Sequence, residues 1–451
     1  MALSDLRETI DALRGEGLLV DIDATVSPVF EVAACLAAAS VAAPAASGKE
    51  ARAVCFSSIK GHKTRIVGNL ISSREVFALA LGVSREEVSA ELVRRLGTTI
   101  EPVEVEHGAV EEVDASQSSL QEVLPILTHY VEDSAPFITT GLIQSIDPDT
   151  SKTVRGVHRM EVRGDKELGV AFLNPPLSTV YLKYKERGLG MPLAVTIGME
   201  PLTFASFALK GVSGADKLAV AGGLRGEPVK VVRAALTGIC VPALCEYLLE
   251  GEVDATDLRT DGPLGEISGY SQSFADTPTF RVRRITHRTE PIYHALLPNG
   301  PEGDLLLRTV AEALISSQLK GRFPFAEQLH FIPTTFGSSV VVRVSKVDRE
   351  LVRTLLVQLL TMGMVKKAVA VADDVDPADP AEVEWSLATR FRPAKDSIIL
   401  SDLRGVPIDP SCDDTFRSGK IALDATGYSH MSNECRATLS PEAVNKADAL
   451  F

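Results

Sequence analysis

The 451-residue sequence predicts a mixed α+β (α/β) fold of three segments, and three observations lead there. Helix and strand patterns alternate over roughly the first hundred residues. Short β-rich runs then dominate from about 119 to 298, and helices alternate with strands again from Gly303. A chain of this length also exceeds one ordinary domain. The segments are taken as 1–115, 116–300 and 301–451.

In the first segment, Ser4 is placed to cap a helix whose Leu6, Ile10 and Leu13 share one face, and Gly15 and Gly17 end it. A strand is expected over 53–57 and helices over 73–81 and 84–96, followed by an acidic connector with Pro and Val over 99–113. In the second segment, strands are expected over 137–146, 154–162, 193–197, 229–236 and 280–285, with a helix over 179–187, which reads as a barrel-like β domain. In the third, a helix over 304–319, a strand over 339–344, a helix over 349–360, a buried strand over 365–372 and a helix over 381–390 make an α/β domain. No internal repeat, low-complexity tract or long linker interrupts this order.

Hydrophobic residues at 45% and charged residues at 24% are those of a globular protein with a core, and aromatics at 5% leave that core to Val, Leu, Ile and Ala. A net charge of −14 disfavours nucleic acid or an anionic membrane as partner, because both reward clustered Lys and Arg. Cys35, Cys55, Cys240, Cys245, Cys412 and Cys435 form no CxxC pair, and read as reduced thiols of a cytoplasmic protein. The opening MALSDLRETIDALRGEG is an amphipathic helix rather than a signal peptide. The most apolar run, 32–46, is broken by Pro44 and too short to span a bilayer.

The residues with chemical potential are few. Asp261 and Glu266 bracket GPLG, where Gly262, Pro263 and Gly265 are expected to force a turn that brings both carboxylates to one small volume. Two close carboxylates resist simultaneous ionisation and a neighbouring arginine retunes both, which suits proton delivery to carbon. A solvated turn with two acids is the plain reading of the same residues. His129, His287 and His294 have no metal-ligand spacing. Gly222, Gly223 and Gly226 suggest a phosphate loop, but no GK[ST] follows. Asp373, Asp374 and Asp376 read as an acidic turn at a strand end rather than a metal cluster.

Five stretches in order, PFITTGLIQSIDPDTSKTVRGVHRMEV, RTDGPLGEISGY, KKAVAVADDVDPADPAEVEWSLATRFRPAKD, GVPIDPS and GKIALDAT, are similar to the landmarks of the UbiD family of reversible (de)carboxylases, and the resemblance covers essentially the whole chain. It implies a UbiD-like architecture, with an N-terminal α/β domain, a central split β-barrel that binds flavin and a C-terminal α/β oligomerisation domain. It implies prenylated FMN as cofactor, supplied by a flavin prenyltransferase of the UbiX type, and a small carboxylic acid as substrate. It further implies a homodimer or higher homo-oligomer. Arg159 falls on the family arginine that contacts cofactor and substrate carboxylate. Glu266 falls on the acid that protonates the product carbon, and Asp261 stands where a glutamate is usual.

The resemblance also marks a departure. Where the family holds a divalent cation through Asn, His and Glu, this chain has Val154, Leu177 and Lys217, with Asp216 beside the last. Val and Leu cannot ligate a cation and a charged lysine repels one, so no metal ligand and no need for a divalent metal are expected. The Lys217 ammonium is a candidate to neutralise the cofactor phosphate directly, and is otherwise a surface lysine. Lys367 resembles a family lysine near the phosphate, or is a solvated charge at a strand head. Gly156 and His158 are placed on the cofactor side with Val154, His158 being equally a packing residue. His294 and Leu297, in PIYHALLPNGPEG, are placed at the substrate pocket. This stretch is similar to members acting on heteroaromatic acids, which usually carry a histidine near Gly303. The implied activity is reversible non-oxidative decarboxylation of an unsaturated, aromatic or heteroaromatic acid. A non-catalytic paralogue or carboxylase-complex subunit, and a plain-FMN protein, remain as rivals.

Overall fold

Two long strands, Tyr247–Gly265 and Ser271–His287, pair antiparallel and form the spine of the central β region. The computed structural model describes residues 3–41, 51–209, 215–431, 436–437 and 439–448. Cys435 and residues 42–46 of the apolar run lie outside the described residues; the rest of that run falls in the helix Glu31–Val41. The chain divides into two compact units. One comprises Met1–Gln318, Pro333–Gly337 and Val406–Phe416, the other Leu319–Ile332, Ser338–Gly405 and Arg417–Phe451.

The first unit begins with the helix Leu6–Gly15, whose Leu6, Ile10 and Leu13 are buried as their spacing predicts. Its cap is Asp5 rather than Ser4: the Asp5 carboxylate accepts from Glu8 N at 2.9 Å, while Ser4 gives its backbone N–H to Glu8. Strands Leu19–Ile22, Ala53–Phe56 and Arg65–Gly68 follow. Their sheet is completed by Ile292–Ala295, parallel to Arg65–Gly68.

The central sheet has nine strands, all antiparallel. Two expected strands are each interrupted: 137–146 becomes Phe137–Ile138 and Leu142–Ile146, and 154–162 becomes Thr153–Val157 and Met160–Gly164. The interruptions have a geometric role. Phe137–Ile138 and Thr153–Val157 are the two ends of the sheet, and Met160–Gly164 is next to the first of them. Only three peptide steps separate Val157 from Met160, a reach of about 11 Å. The ends of the sheet therefore lie side by side, and it curls into a barrel split along a seam that His158 and Arg159 cross.

The long hairpin corrects the expected turn at 262–265. The ladder continues to Gly265↔Ser271, and the tight turn lies beyond it, where Gly269 N donates to Glu266 O at 2.8 Å. In place of a turn, the register shifts between Arg259 and Asp261 and between Asp261 and Leu264. Residues five apart on a regular strand face opposite sides. The irregular register cancels that alternation and lets Asp261 and Glu266 reach one group.

In the second unit the sheet order is Ala326–Phe331, Ser339–Val344, Lys367–Val371, Arg417–Ala425, Ser397–Arg404. Val340, Val341, Val342 and Val344 are buried, as are Ala368 to Val371, so both strands are largely apolar, the first interrupted at Arg343. The helix Arg349–Leu360 buries Val352, Leu355, Leu356, Leu359 and Leu360 along one face. Among the described residues, no helix is long and apolar enough to cross a membrane.

Candidate active site

At the seam of the barrel, Arg159 gathers two carboxylates. Its Nε donates to Asp261 Oδ1 at 2.8 Å and its Nη1 to Glu266 Oε1 at 2.6 Å; Nη2 donates to Asp261 and, at 3.0 Å, to the Gln272 carbonyl. Asp261 has one methylene fewer than glutamate and still reaches. The guanidinium lies over the Phe274 ring, 4.7 Å from its centroid, with the Phe137 ring at 5.7 Å. Gly262 makes room for this arrangement. Its φ is +90°, and a Cβ there would sit 2.6 Å from Gln272 O and 3.0 Å from Arg159 Nη2.

The two acids stand differently. The Glu266 side chain is 17% exposed and lines a cavity of about 290 Å³, whereas Asp261 is fully buried behind Arg159, off that wall. Burial pushes the Asp261 carboxyl up to about 6; Arg159 opposes the shift and nearby Glu161 adds to it. Burial likewise raises Glu266 against the pull of Arg159. Among the described residues Asp261 Oδ2 is buried with no hydrogen-bond partner, so this oxygen does nothing to stabilise the anion, in keeping with the upward shift. The cavity wall is otherwise mostly apolar, from Val157, Ala171, Leu173, Phe204, Phe207, Leu264, Leu306 and Ile408, and carries the polar side chains of Thr139, His158, Asn174 and Lys217. Such a site can take a ligand with apolar and charged parts, offers it an arginine, and presents a carboxyl whose proton is retained more readily than in water.

Comparison with known proteins accords with this geometry. Three family models match in succession: the N-terminal domain of 3-octaprenyl-4-hydroxybenzoate carboxy-lyase over residues 10–96, its Rift-related domain over 101–301 and its C-terminal domain over 304–425. The chain belongs to the UbiD family. Among its relatives, the anhydromevalonate phosphate decarboxylase of Methanosarcina mazei is 30% identical, covering 93% of this chain and 95% of that protein. The phenolic acid decarboxylase of Bacillus subtilis is 28% identical, covering 94% and 93%. The UbiD-class enzyme HmfF from Pelotomaculum thermopropionicum, solved with FMN, superposes with a TM-score of 0.91 at 28% identity, covering 98% and 99% of the two chains. An evolved dimeric form of HmfF with prFMN gives 0.88 at 27% identity, covering 99% and 100%.

Of the residues that the sequence places on the cofactor side of this UbiD-family chain, Gly156, His158, Arg159 and Lys217 line the cavity. His158 Nδ1 lies 2.9 Å from the Ala171 carbonyl and the ring meets Phe172 edge-on. Leu177 is buried behind Gly156, where a Cβ would come within 3.0 Å of its Cδ1. Val154 packs against the core and is not among the lining residues. Lys217 opens the helix Lys217–Arg225 and donates from Nζ to the Phe207 carbonyl. Asp216, its neighbour, is bound by the buried Arg155 at 2.8 and 3.3 Å and caps Leu218 N. Lys367 heads its strand in the second unit and is exposed.

His294 and Leu297 are corrected. The cavity is lined by Leu296 and Pro298, while Leu297 between them packs into the core. His294 is buried behind the wall, its Nε2 held 2.9 Å from Glu302 and its ring against Phe204. Asp374, from the expected acidic turn, pairs with Arg390. Sequence reasoning missed Phe274, Glu161 and Ile408. Glu161 carried one signal, lying two residues past Arg159 and so on the same strand side; Ile408, some 140 residues from Glu266, carried none.

Proposed function

We propose that this chain is a reversible, non-oxidative decarboxylase of an unsaturated, aromatic or heteroaromatic carboxylic acid that works with prenylated FMN. The observation that carries the reading is Arg159 holding Glu266 at the wall of a largely apolar cavity. The residues suit the cofactor: two cationic side chains, Arg159 and Lys217, face a space that an anionic flavin would need neutralised, and Gly156 leaves the wall without a Cβ. They do not suit a divalent metal. Val154 and Leu177 have no donor atoms, Lys217 repels a cation, and Asp216 is committed to Arg155. Among the described residues no three His, Cys, Asp or Glu side chains gather in a metal-binding group.

When bound, prenylated FMN supplies the electron sink that loss of CO₂ requires. Arg159 orients the substrate carboxylate. An incoming anion also shares the charge that keeps Glu266 ionised, which moves Glu266 towards the protonated form it needs as a general acid. Asp261, behind the arginine, holds the guanidinium in plane. Mostly apolar walls favour the step in which a carboxylate leaves as neutral CO₂. A flavin prenyltransferase provides the cofactor. A cytoplasmic homodimer or higher homo-oligomer is part of the same reading, supported by the dimeric form of HmfF.

The test is cofactor retention after co-expression with a flavin prenyltransferase. The released ligand has the prenylated mass rather than that of FMN, and a chelator leaves occupancy unchanged. Lys217→Ala weakens retention by about one to two orders of magnitude, the equivalent of one charge-assisted contact, and manganese does not restore it. Stripping by chelator, or full occupancy in Lys217→Ala, overturns the metal-free part of the reading; a protein that stays empty overturns the cofactor.

A further inference from the structure

Ile267, the residue after Glu266, belongs to two cavities. On one side is the space that Glu266 lines; on the other is a second cavity of about 350 Å³. Its wall includes Asn299, Gly300, Asp304, Leu305 and Arg308, the last three on the helix Pro301–Lys320. Asp304 and Arg308 are 6% and 8% exposed, one turn apart, and Arg308 Nε donates to Asp304 Oδ2 at 2.7 Å. The pairing leaves groups unused. Asp304 Oδ1 is buried with no hydrogen-bond partner, and Arg308 Nη1 and Nη2 have none among the described residues. A buried carboxylate oxygen without a donor is costly unless something completes it, and the accessible Arg308 fork beside it lies at the wall of the same cavity.

We infer that this second cavity is a specificity site for the end of the substrate remote from the departing carboxylate, and that it selects a neutral group able both to accept and to donate hydrogen bonds, a hydroxyl or a carboxamide. The inference rests on the decarboxylase reading and narrows its substrate. Arg308 donates from its Nη atoms and Asp304 Oδ1 accepts. Because Asp304 already balances the arginine, a second anion gains no net attraction there and meets the uncommitted carboxylate oxygen. A methyl group leaves both polar atoms unpaired.

The experiment measures binding of four para-substituted benzoates to the flavin-loaded protein by calorimetry: hydroxyl, carboxamide, methyl and carboxylate. The hydroxyl and carboxamide compounds bind about tenfold or more tightly than the methyl compound, and the dicarboxylate does not. Arg308→Met brings the first two to within about threefold of the methyl compound, whose own affinity is unchanged. Asp304→Asn, which keeps shape and removes the charge, improves the dicarboxylate by about tenfold. Flavin content and melting temperature of both variants serve as folding controls, and a failure of Arg308→Met to fold leaves Asp304→Asn to decide. A preference that survives Arg308→Met, equal affinity for all four compounds, or no gain for the dicarboxylate in Asp304→Asn overturns the inference and leaves the decarboxylase reading standing. If none of the four binds the wild-type protein, the inference falls, while the decarboxylase reading, which also covers unsaturated and heteroaromatic acids, is decided by its own cofactor test.

Discussion

Two clusters of arginines and acids lie between the long hairpin and the segment 159–167, and they behave in opposite ways. Along one stretch, Glu167, Asp254, Asp257, Arg259 and Arg281 form a half-exposed network, with Arg259 Nη2 2.7 Å and Arg281 Nη2 2.9 Å from Asp257 Oδ2. Further along, Arg159, Glu161, Arg163, Asp261 and Glu266 form a buried one. In the first, hydrogen bonds dominate: those from Thr256, chiefly its hydroxyl, hold the Asp254 carboxyl down to about 2, and Arg259 lowers Asp257. In the second, burial outweighs the arginine and raises both acids that Arg159 holds. The residue types are the same. What differs is water, and water decides whether an arginine's neighbour is a structural anion or a carboxyl with a proton to give.

The sharpest way to break this contrast is at Glu266. Glu266→Gln keeps the shape and loses the proton, so turnover and exchange of solvent deuterium into product fall about a hundredfold or more while flavin content is retained. Isotope exchange read by mass spectrometry checks it; an active variant removes Glu266 from the chemistry.

The next effect is on stability and its pH dependence. The folded Asp261 value, about 6, lies above the ordinary 3.8. Its contribution is therefore fully present below about pH 4 and is lost as pH rises through about 6, by an amount on the order of 3 kcal/mol. Asp254 has the opposite sign: its contribution is present above the ordinary carboxylate range and is lost as pH falls towards about 2. Urea midpoints at several pH values, in wild type and Asp261→Asn, are expected to diverge between about pH 4 and 6, with wild type falling relative to the variant. Parallel curves refute the raised carboxyl. Because Asp261 and Glu266 share one arginine, the measured step belongs to the pair.

The smallest effect is on the exposed cluster. Arg281→Met is expected to cost about 1 kcal/mol or less in stability, less again at high salt, with activity unchanged. A larger or salt-insensitive loss in the urea midpoint indicates that this network is less wet than its exposure suggests.

Legibility in the sequence followed the range of the forces. The strand Ser339–Val344 and the helix Arg349–Leu360 match their expected bounds because each is written in its own apolar pattern. The hairpin register was hidden: Gly and Pro at 262–265 signal a turn, and only pairing with Gln272 and Phe274 shows that the ladder runs past them. Asp5 displaced Ser4 as cap because it also pairs with Arg288, a partner 283 residues away. The Arg159, Asp261 and Glu266 set was found through an ordered family resemblance; nothing local links residue 159 to 261. Leu297 was misplaced by one step of side-chain direction, which the sequence alone does not fix, and His294 is drawn off the wall by Glu302, a partner the spacing did not reveal.

One pairing in the first unit has a consequence for how the molecule is made. Ile292–Ala295 supplies the last strand of the sheet that begins at Leu19–Ile22. A ribosome adding about 5–20 residues per second needs roughly ten to fifty seconds to pass from Gly68 to Ala295. Throughout that interval the Arg65–Gly68 strand has an unsatisfied edge, a template for pairing with another nascent chain. The N-terminal sheet therefore cannot be completed on emergence. It waits for the barrel to be synthesised, and until then its open edge depends on the rest of the nascent chain to close it.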